Sequence, residues 1–318
     1  MRKYEPFAKS DYGSLNPKVD LQPDFFTGFE ASKRKEIIKA EAEFYHSITE
    51  AYSVDEKICK YYVDVETRDG VKIPVKVYSP LNCDGNIPAL LFMHGGGFIT
   101  CSPETHDFVP SYIAANAGVM CFSVDYRLAP EYKFPKGLED CWDTAKWIFE
   151  NAQELKVDKG RISVGGDSSG GNYTAVLTHM AKDSGGLDFY KQVLIYPATD
   201  FSGLVSKKST QVYAPVGGGE RSDVPDFLLQ YLPENIKFDD PAVSPLLREE
   251  FSGLPPALFI QAECDSLCDD GLYYAKCLSE DGVDVKCRIY KGMPHAFILR
   301  TYDETFAALD YICEFLKK

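Results

Sequence analysis

Residues 161–172 read Arg-Ile-Ser-Val-Gly-Gly-Asp-Ser-Ser-Gly-Gly-Asn. Ile162 and Val164 have the alternation of the end of a buried strand, and residues 173–182 set Tyr173, Val176, Leu177 and Met180 at helical spacing. Between them Gly166-Asp167-Ser168-Ser169-Gly170 forms a sharp strand-to-helix corner with the hydroxyl of Ser168 at its tip. The pattern G-x-S-x-G is that of a nucleophile elbow. The backbone folds back on itself there, and a Cβ at either flanking glycine would collide with the neighbouring strand or helix. The following helix N-terminus favours developing negative charge beside the serine. Alone, such a pattern arises by chance in roughly one chain in ten of this length, so the rest of the chain has to decide.

The 318 residues, 45% apolar and 13% aromatic, are enough for one large α/β domain with insertions. With 34 Lys and Arg against 48 Asp and Glu, the net charge of −14 repels nucleic-acid phosphates and anionic headgroups, so neither nucleic acid nor membrane is an expected partner. Met1-Arg2-Lys3-Tyr4-Glu5-Pro6 leads into no apolar signal region, and nowhere does an apolar run reach about 18 residues. A soluble, cytoplasmic protein is expected. The ten cysteines form no C-x-x-C pair, which speaks against a zinc site; no metal and no cofactor are expected. Cys121 and Cys287 fall within apolar segments, where a reduced thiol behaves as a small hydrophobe, as suits a reducing compartment.

Strands at 61–67 and 72–79 are separated by Arg68-Asp69-Gly70-Val71, whose Asp-Gly is a hairpin signal. The run Pro88-Ala-Leu-Leu-Phe-Met93 reads as a strand covered on both faces and feeds into His94-Gly95-Gly96-Gly97-Phe98. Consecutive glycines there leave backbone N–H groups free to point at a ligand, as an oxyanion hole requires, while the glycine patterns of phosphate loops are missing. A helix near 105–117, a strand at 119–124 and a long helix over 137–155 lead to the elbow; a strand at 192–196 follows it. Later come a strand at 257–261, a helix at 270–281, a strand at 284–290 alternating Val285, Cys287 and Ile289 with Lys286 and Arg288, and a closing helix at 301–316. Repeated βα units of this kind imply a mainly parallel sheet with helices on both faces.

Two segments stand outside this alternation. Residues 1–55 hold one or two helices within 32–52, marked by Ile37, Ile38, Phe44, Tyr45 and Ile48, and precede the main domain at 56–318. Residues 199–240 are polar and punctuated by Gly217-Gly218-Gly219, Pro225 and Pro233, with one helix over 223–231. An insertion of this length commonly serves as a lid.

A nucleophilic serine needs a base, and the base an orienting carboxylate; in α/β-hydrolases they occur in the order Ser, Asp or Glu, His. Of five histidines only His179 and His295 follow Ser168. His179 lies eleven residues on in the same predicted helix, about 16 Å along its axis, and cannot reach back. His295, in Gly292-Met293-Pro294-His295-Ala296-Phe297 after a strand, is the candidate base. Glu263, Asp265, Asp269 and Asp270 follow the strand at 257–261. Asp269 and Asp270 read as charges at the N-terminus of the next helix, and Asp265 is preferred over Glu263 as the acid. His94 reads as an orienting loop residue, and Asp167 as structural, because a group adjacent in sequence to Ser168 points away from it.

In four blocks the chain resembles the hormone-sensitive-lipase-like family of α/β-hydrolase esterases, over roughly residues 60–318. They are His94-Gly95-Gly96-Gly97-Phe98, Asp125-Tyr126-Arg127-Leu128-Ala129-Pro130-Glu131, Gly166-Asp167-Ser168-Ser169-Gly170-Gly171, and Asp265-Ser266-Leu267 with Gly292-Met293-Pro294-His295-Ala296-Phe297. The resemblance implies an α/β-hydrolase fold: a central, mostly parallel eight-stranded sheet flanked by helices, capped by residues 1–55 and the insertion 199–240. It implies Ser168 as nucleophile, His295 as base, Asp265 as acid, and the N–H groups of Gly96, Gly97 and Ser169 as the oxyanion hole, with Gly95 a further candidate donor. Ser266 and Cys268 stand where the family usually has Pro and Arg, and Ser169 where it usually has Ala. Arg127 and Glu131 read as a buried ion pair bracing the loop beneath the elbow. From the resemblance, the Ala129-Pro130 and Phe134-Pro135 bonds are expected to be cis.

The implied activity is hydrolysis of short- to medium-chain acyl esters through an acyl-enzyme, without metal or organic cofactor. Amides, lactones and acetylated sugars are alternative substrates for the same triad. A non-catalytic small-molecule receptor is a further alternative, opposed by the presence of all three triad residues. The resemblance also suggests a homodimer through the edge of the last strand.

Overall fold

A computed structural model of the chain describes residues 11–19, 29–81, 83, 85–205, 207–213 and 226–317. Among the described residues the eight strands are β1 (Ile58–Glu66), β2 (Lys72–Pro80), β3 (Ile87–Met93), β4 (Met120–Val124), β5 (Val157–Asp167), β6 (Gln192–Ile195), β7 (Ala257–Cys264) and β8 (Val285–Pro294). The helices are α1 (Arg34–Thr49), α2 (Phe108–Ala117), α3 (Lys136–Glu150), α4 (Ser169–Ser184), α5 (Lys208–Tyr213), α6 (Asp226–Tyr231), α7 (Cys268–Glu280) and α8 (Asp303–Lys317). The strands form one sheet in the order β1-β2-β4-β3-β5-β6-β7-β8. The β1–β2 hairpin and the β2–β4 pair are antiparallel; every other pair is parallel.

The apolar run of β3 is explained by burial on both sides. Ala89, Leu91 and Met93 join a cluster with Leu138, Ile148, Val176 and Leu177 of α3 and α4, whereas Leu90 and Phe92 join one with Val109, Ile113, Leu309 and Ile312 of α2 and α8. Successive side chains leave a strand on opposite faces, so a doubly covered strand has no polar side to show. Each fully buried side chain of this size contributes about 1.5–3 kcal/mol.

The helix expected over 137–155 ends at Glu150, where the Asn151 side-chain amide donates to the Trp147 carbonyl and closes the last turn. In β8 the alternation misled: Cys287 and Ile289 are exposed, while Lys286 and Arg288 lie over the rings of Phe315 and Tyr311 of α8. A strand at the sheet's edge can turn long cationic stems to a helix and leave small apolar groups outward. Arg127 also departs from expectation. It pairs with Asp140 at 2.7 Å and Asp69 at 2.8 Å, and Glu131 instead takes Arg34 of α1 at 2.6 Å. The Ala129-Pro130 and Phe134-Pro135 bonds are both cis, as expected. No described helix is long and apolar enough to cross a membrane.

Candidate active site

Because β3, β5, β6, β7 and β8 run parallel, their C-terminal ends open on one side of the sheet, and the segments that follow them meet there. Ser168 sits between β5 and α4 at φ 54° and ψ −116°, an unfavourable conformation for a residue with a Cβ. Its N–H is fixed by the Ile195 carbonyl at 2.9 Å. The turn closes only with glycines: a Cβ on Gly166 or Gly170 would run into the Met93 carbonyl at the end of β3.

The structure brings Ser168, His295 and Asp265 together. His295 Nε2 lies 2.9 Å from Ser168 Oγ, and Nδ1 lies 2.6 Å from Asp265 Oδ2. An ionised carboxylate only accepts, so Nδ1 carries the proton and Nε2 keeps its lone pair toward the serine hydroxyl. Asp265 is buried, and its other oxygen accepts the Leu267 N–H at 2.8 Å. Burial alone would push His295 down. The charge of Asp265 and its hydrogen bond outweigh that and hold the imidazole above its ordinary value. Tyr196, buried and tilted against His295 with ring centroids 4.8 Å apart, walls the imidazole from the side.

Glu263 is taken up elsewhere: its Oε2 accepts the Gly292 N–H at 2.8 Å, steadying the segment before His295. His179 Nε2 lies 3.1 Å from Tyr274 Oη, and burial pushes its imidazole down to about 3. His94 is stacked on Tyr126 with centroids 4.2 Å apart, and burial pushes it too down to about 3. A neutral, enclosed ring orients the glycine loop, and it does no proton transfer there.

The Gly95 N–H donates to Asp167 Oδ1 at 2.9 Å and is committed there, which removes Gly95 from the candidate oxyanion donors. The N–H groups of Gly96, Gly97 and Ser169 have no protein acceptor among the described residues. Behind the elbow lies a second histidine–carboxylate pair that the sequence reading missed: His106 Nε2 is 3.2 Å from Asp167 Oδ1, and Thr105 Oγ1 is 2.9 Å from His106 Nδ1. Burial would raise Asp167, yet His106 and the Gly95 N–H hold its carboxyl below the usual range. No local pattern marks His106, because its partner is sixty-one residues away. One wall beside the glycine loop is aromatic: Phe98 stacks on Tyr231 of α6 at 3.9 Å between centroids, and Phe201 meets it edge-on at 6.2 Å. No group of three or more His, Cys, Asp or Glu in metal-holding geometry occurs among the described residues.

A family model described as the alpha/beta hydrolase fold matches residues 90–299. The chain is 38% identical over 230 residues to carboxylesterase NlhH of Mycobacterium tuberculosis, covering 71% of each. It is 37% identical over 251 residues to an ethyl acetate hydrolase of Pseudomonas putida, covering 78% of each. Among solved structures it resembles a hyperthermophilic esterase of the archaeon Pyrobaculum calidifontis with a TM-score of 0.84 at 34% identity, covering 96% of this chain and 98% of that one.

Proposed function

The chain belongs to the hormone-sensitive-lipase-like family of α/β-hydrolases, and from that premise we propose that it is a serine carboxylesterase acting on small esters of short to medium acyl chain. The observation that carries this reading is the unbroken hydrogen-bonded line from Ser168 Oγ through His295 to Asp265. In the proposed reaction His295 Nε2 takes the Ser168 proton as Oγ attacks the ester carbonyl. The imidazolium is stabilised by Asp265 and then protonates the departing alcohol. The N–H groups of Gly96, Gly97 and Ser169 hold the oxyanion, and each is worth on the order of 10²–10³ in kcat. Water activated by the same histidine then releases the acid.

In this reading the cap over the acyl pocket comes from residues 1–55 and 199–240, of which 1–10, 20–28, 206 and 214–225 lie outside the described residues. Among the described residues, Arg34 of α1 donates to the Ile99 and Ala129 carbonyls, and Tyr231 of α6 packs on Phe98, which is consistent with a cap seated on the glycine loop. A closed pocket of ordinary size favours acyl chains of about two to eight carbons, with affinity rising by about 0.8 kcal/mol per CH₂ until the wall is met. A second copy pairing along the edge of β8, where Cys287 and Ile289 are exposed, is the proposed dimer contact. The test is initial rates on p-nitrophenyl esters of graded acyl length, beside an acetylated sugar and an anilide. Turnover peaking within two to eight carbons supports the reading. Rates that climb through long-chain triglyceride emulsions, or that favour the anilide, overturn it.

A further inference from the structure

Asp269 and Asp270 lie in the first turn of α7, and their carboxylates take partners outside that helix. Both are buried, Asp269 against Tyr12 near the start of the chain and Ser209, and Asp270 against Thr199, Asp200 and Lys207. Asp269 Oδ2 accepts the Tyr12 hydroxyl at 2.7 Å and the Ser209 N–H at 2.8 Å. The Asp269 N–H donates to Ser209 Oγ at 3.1 Å, and that hydroxyl donates to the Ser266 carbonyl at 2.9 Å, as does Thr210 Oγ1 at 3.2 Å. Tyr213 of α5 closes the ring by donating to the Gly13 carbonyl at 2.9 Å. Asp270 Oδ1 takes Lys207 Nζ and the Asp200 N–H, each at 3.0 Å, so the neighbouring carboxylate has a cation and Asp269 relies on uncharged donors.

The turn these groups grip also carries the acid of the triad. Asp265 Oδ1 accepts the Leu267 N–H, its own carbonyl accepts the Cys268 N–H at 3.0 Å, and Ser266 lies between. Where the family usually has a proline, Ser266 presents its carbonyl to two hydroxyls of the 207–213 segment. A movement of that segment or of Tyr12 is thereby carried into the five-residue turn that aims Asp265 at His295. A charged acceptor holding two donors on one oxygen resists such movement more strongly than a neutral one.

We infer that Asp269 is a positioning residue, clasping the Tyr12 and 207–213 segments to the Asp265 turn so that the seating of both segments sets the Asp265–His295 geometry; this rests on the esterase reading for its effect on rate. Asp269→Ala is expected to lower kcat by about 10–100-fold, the scale of a misplacement near 1 Å. It should also move the His295 imidazole titration, followed by proton NMR, to lower pH. Asp269→Asn keeps an acceptor oxygen and should recover most of both. Tyr12→Phe should give a smaller loss in kcat in the same direction. A folded Asp269→Ala with the wild-type His295 titration and kcat overturns the inference. If Asp269→Ala does not fold, the Tyr12→Phe, Ser209→Ala double variant decides by the same two readouts. If the wild type hydrolyses no ester, the esterase reading fails, and the NMR titration alone still decides the clasp.

Discussion

Two histidine–carboxylate pairs flank Ser168, one in front and one behind, and they differ in what their second nitrogen meets. In the front pair, Asp265 fixes His295 Nδ1, and Nε2 reaches the serine hydroxyl with about a quarter of the His295 side chain exposed (26%). In the rear pair, Asp167 and His106 are sealed in the core, and the far nitrogen of His106 meets Thr105. The same two residue types therefore serve opposite purposes. A histidine with one nitrogen on an open hydroxyl can move a proton, whereas one enclosed on both sides can only hold the Gly95 loop in register with the elbow.

The largest effect that could break this contrast is on rate. Ser168→Ala and His295→Ala should each cost about 10⁴–10⁶ in kcat with little change in melting temperature, because triad members act as a unit. His106→Phe should leave most turnover in whatever fraction stays folded. Equal losses from the front and rear histidines, compared at equal folded fraction, would erase the distinction.

Next is Asp167→Ala. It frees the Gly95 N–H and leaves His106 without its carboxylate, so kcat should fall about 10–100-fold with KM nearly unchanged. Stability should drop by about 2–4 kcal/mol in denaturant titrations, the range for breaking a buried polar network. Asp167→Asn, which keeps an acceptor for Gly95, should recover part of the rate.

The pH profile sharpens the contrast further. His295 must be neutral to accept the serine proton, and Asp265 holds its pKa above the ordinary value, so kcat/KM should fall tenfold per unit as pH drops below that raised pKa. Asp265→Asn should shift the acid limb to lower pH while cutting the rate; an unmoved limb would mean that another group titrates there.

The smallest effect concerns Glu41, reached from α1 into the rear region beside Cys101. Burial pushes its carboxyl up to about 7, against the opposing influence of His106 and Cys101. The folded state then keeps a proton that the unfolded chain releases from about 4.5 upward. Stability is lost as pH rises from there to about 7, and the loss is complete above it. Glu41→Gln should flatten that slope and raise stability at pH 8 by about 1–3 kcal/mol in thermal or urea unfolding, leaving the acid limb of the rate profile where it was.

What the sequence determined by itself was whatever depends on near neighbours or on chain order. The apolar run before His94, the glycines around Ser168 and the βα alternation identify the sheet and the elbow, because strand burial and a tight turn constrain residues only a few positions apart. Chain order left His179 and His295, helix length removed His179, and the start of the following helix set Asp269 and Asp270 aside in favour of Asp265 over Glu263; the structure brings His295 and Asp265 to the hydroxyl of Ser168. Tertiary structure decided the partners of groups that have a choice. Arg127 meets Asp140 and Asp69 instead of Glu131; Gly95 turns its N–H to Asp167; Cys287 faces outward; and Asp269 takes Tyr12 from the other end of the chain. A charge or a hydrogen-bond donor fits many acceptors equally well, and only the three-dimensional path of the chain brings one of them within 3 Å.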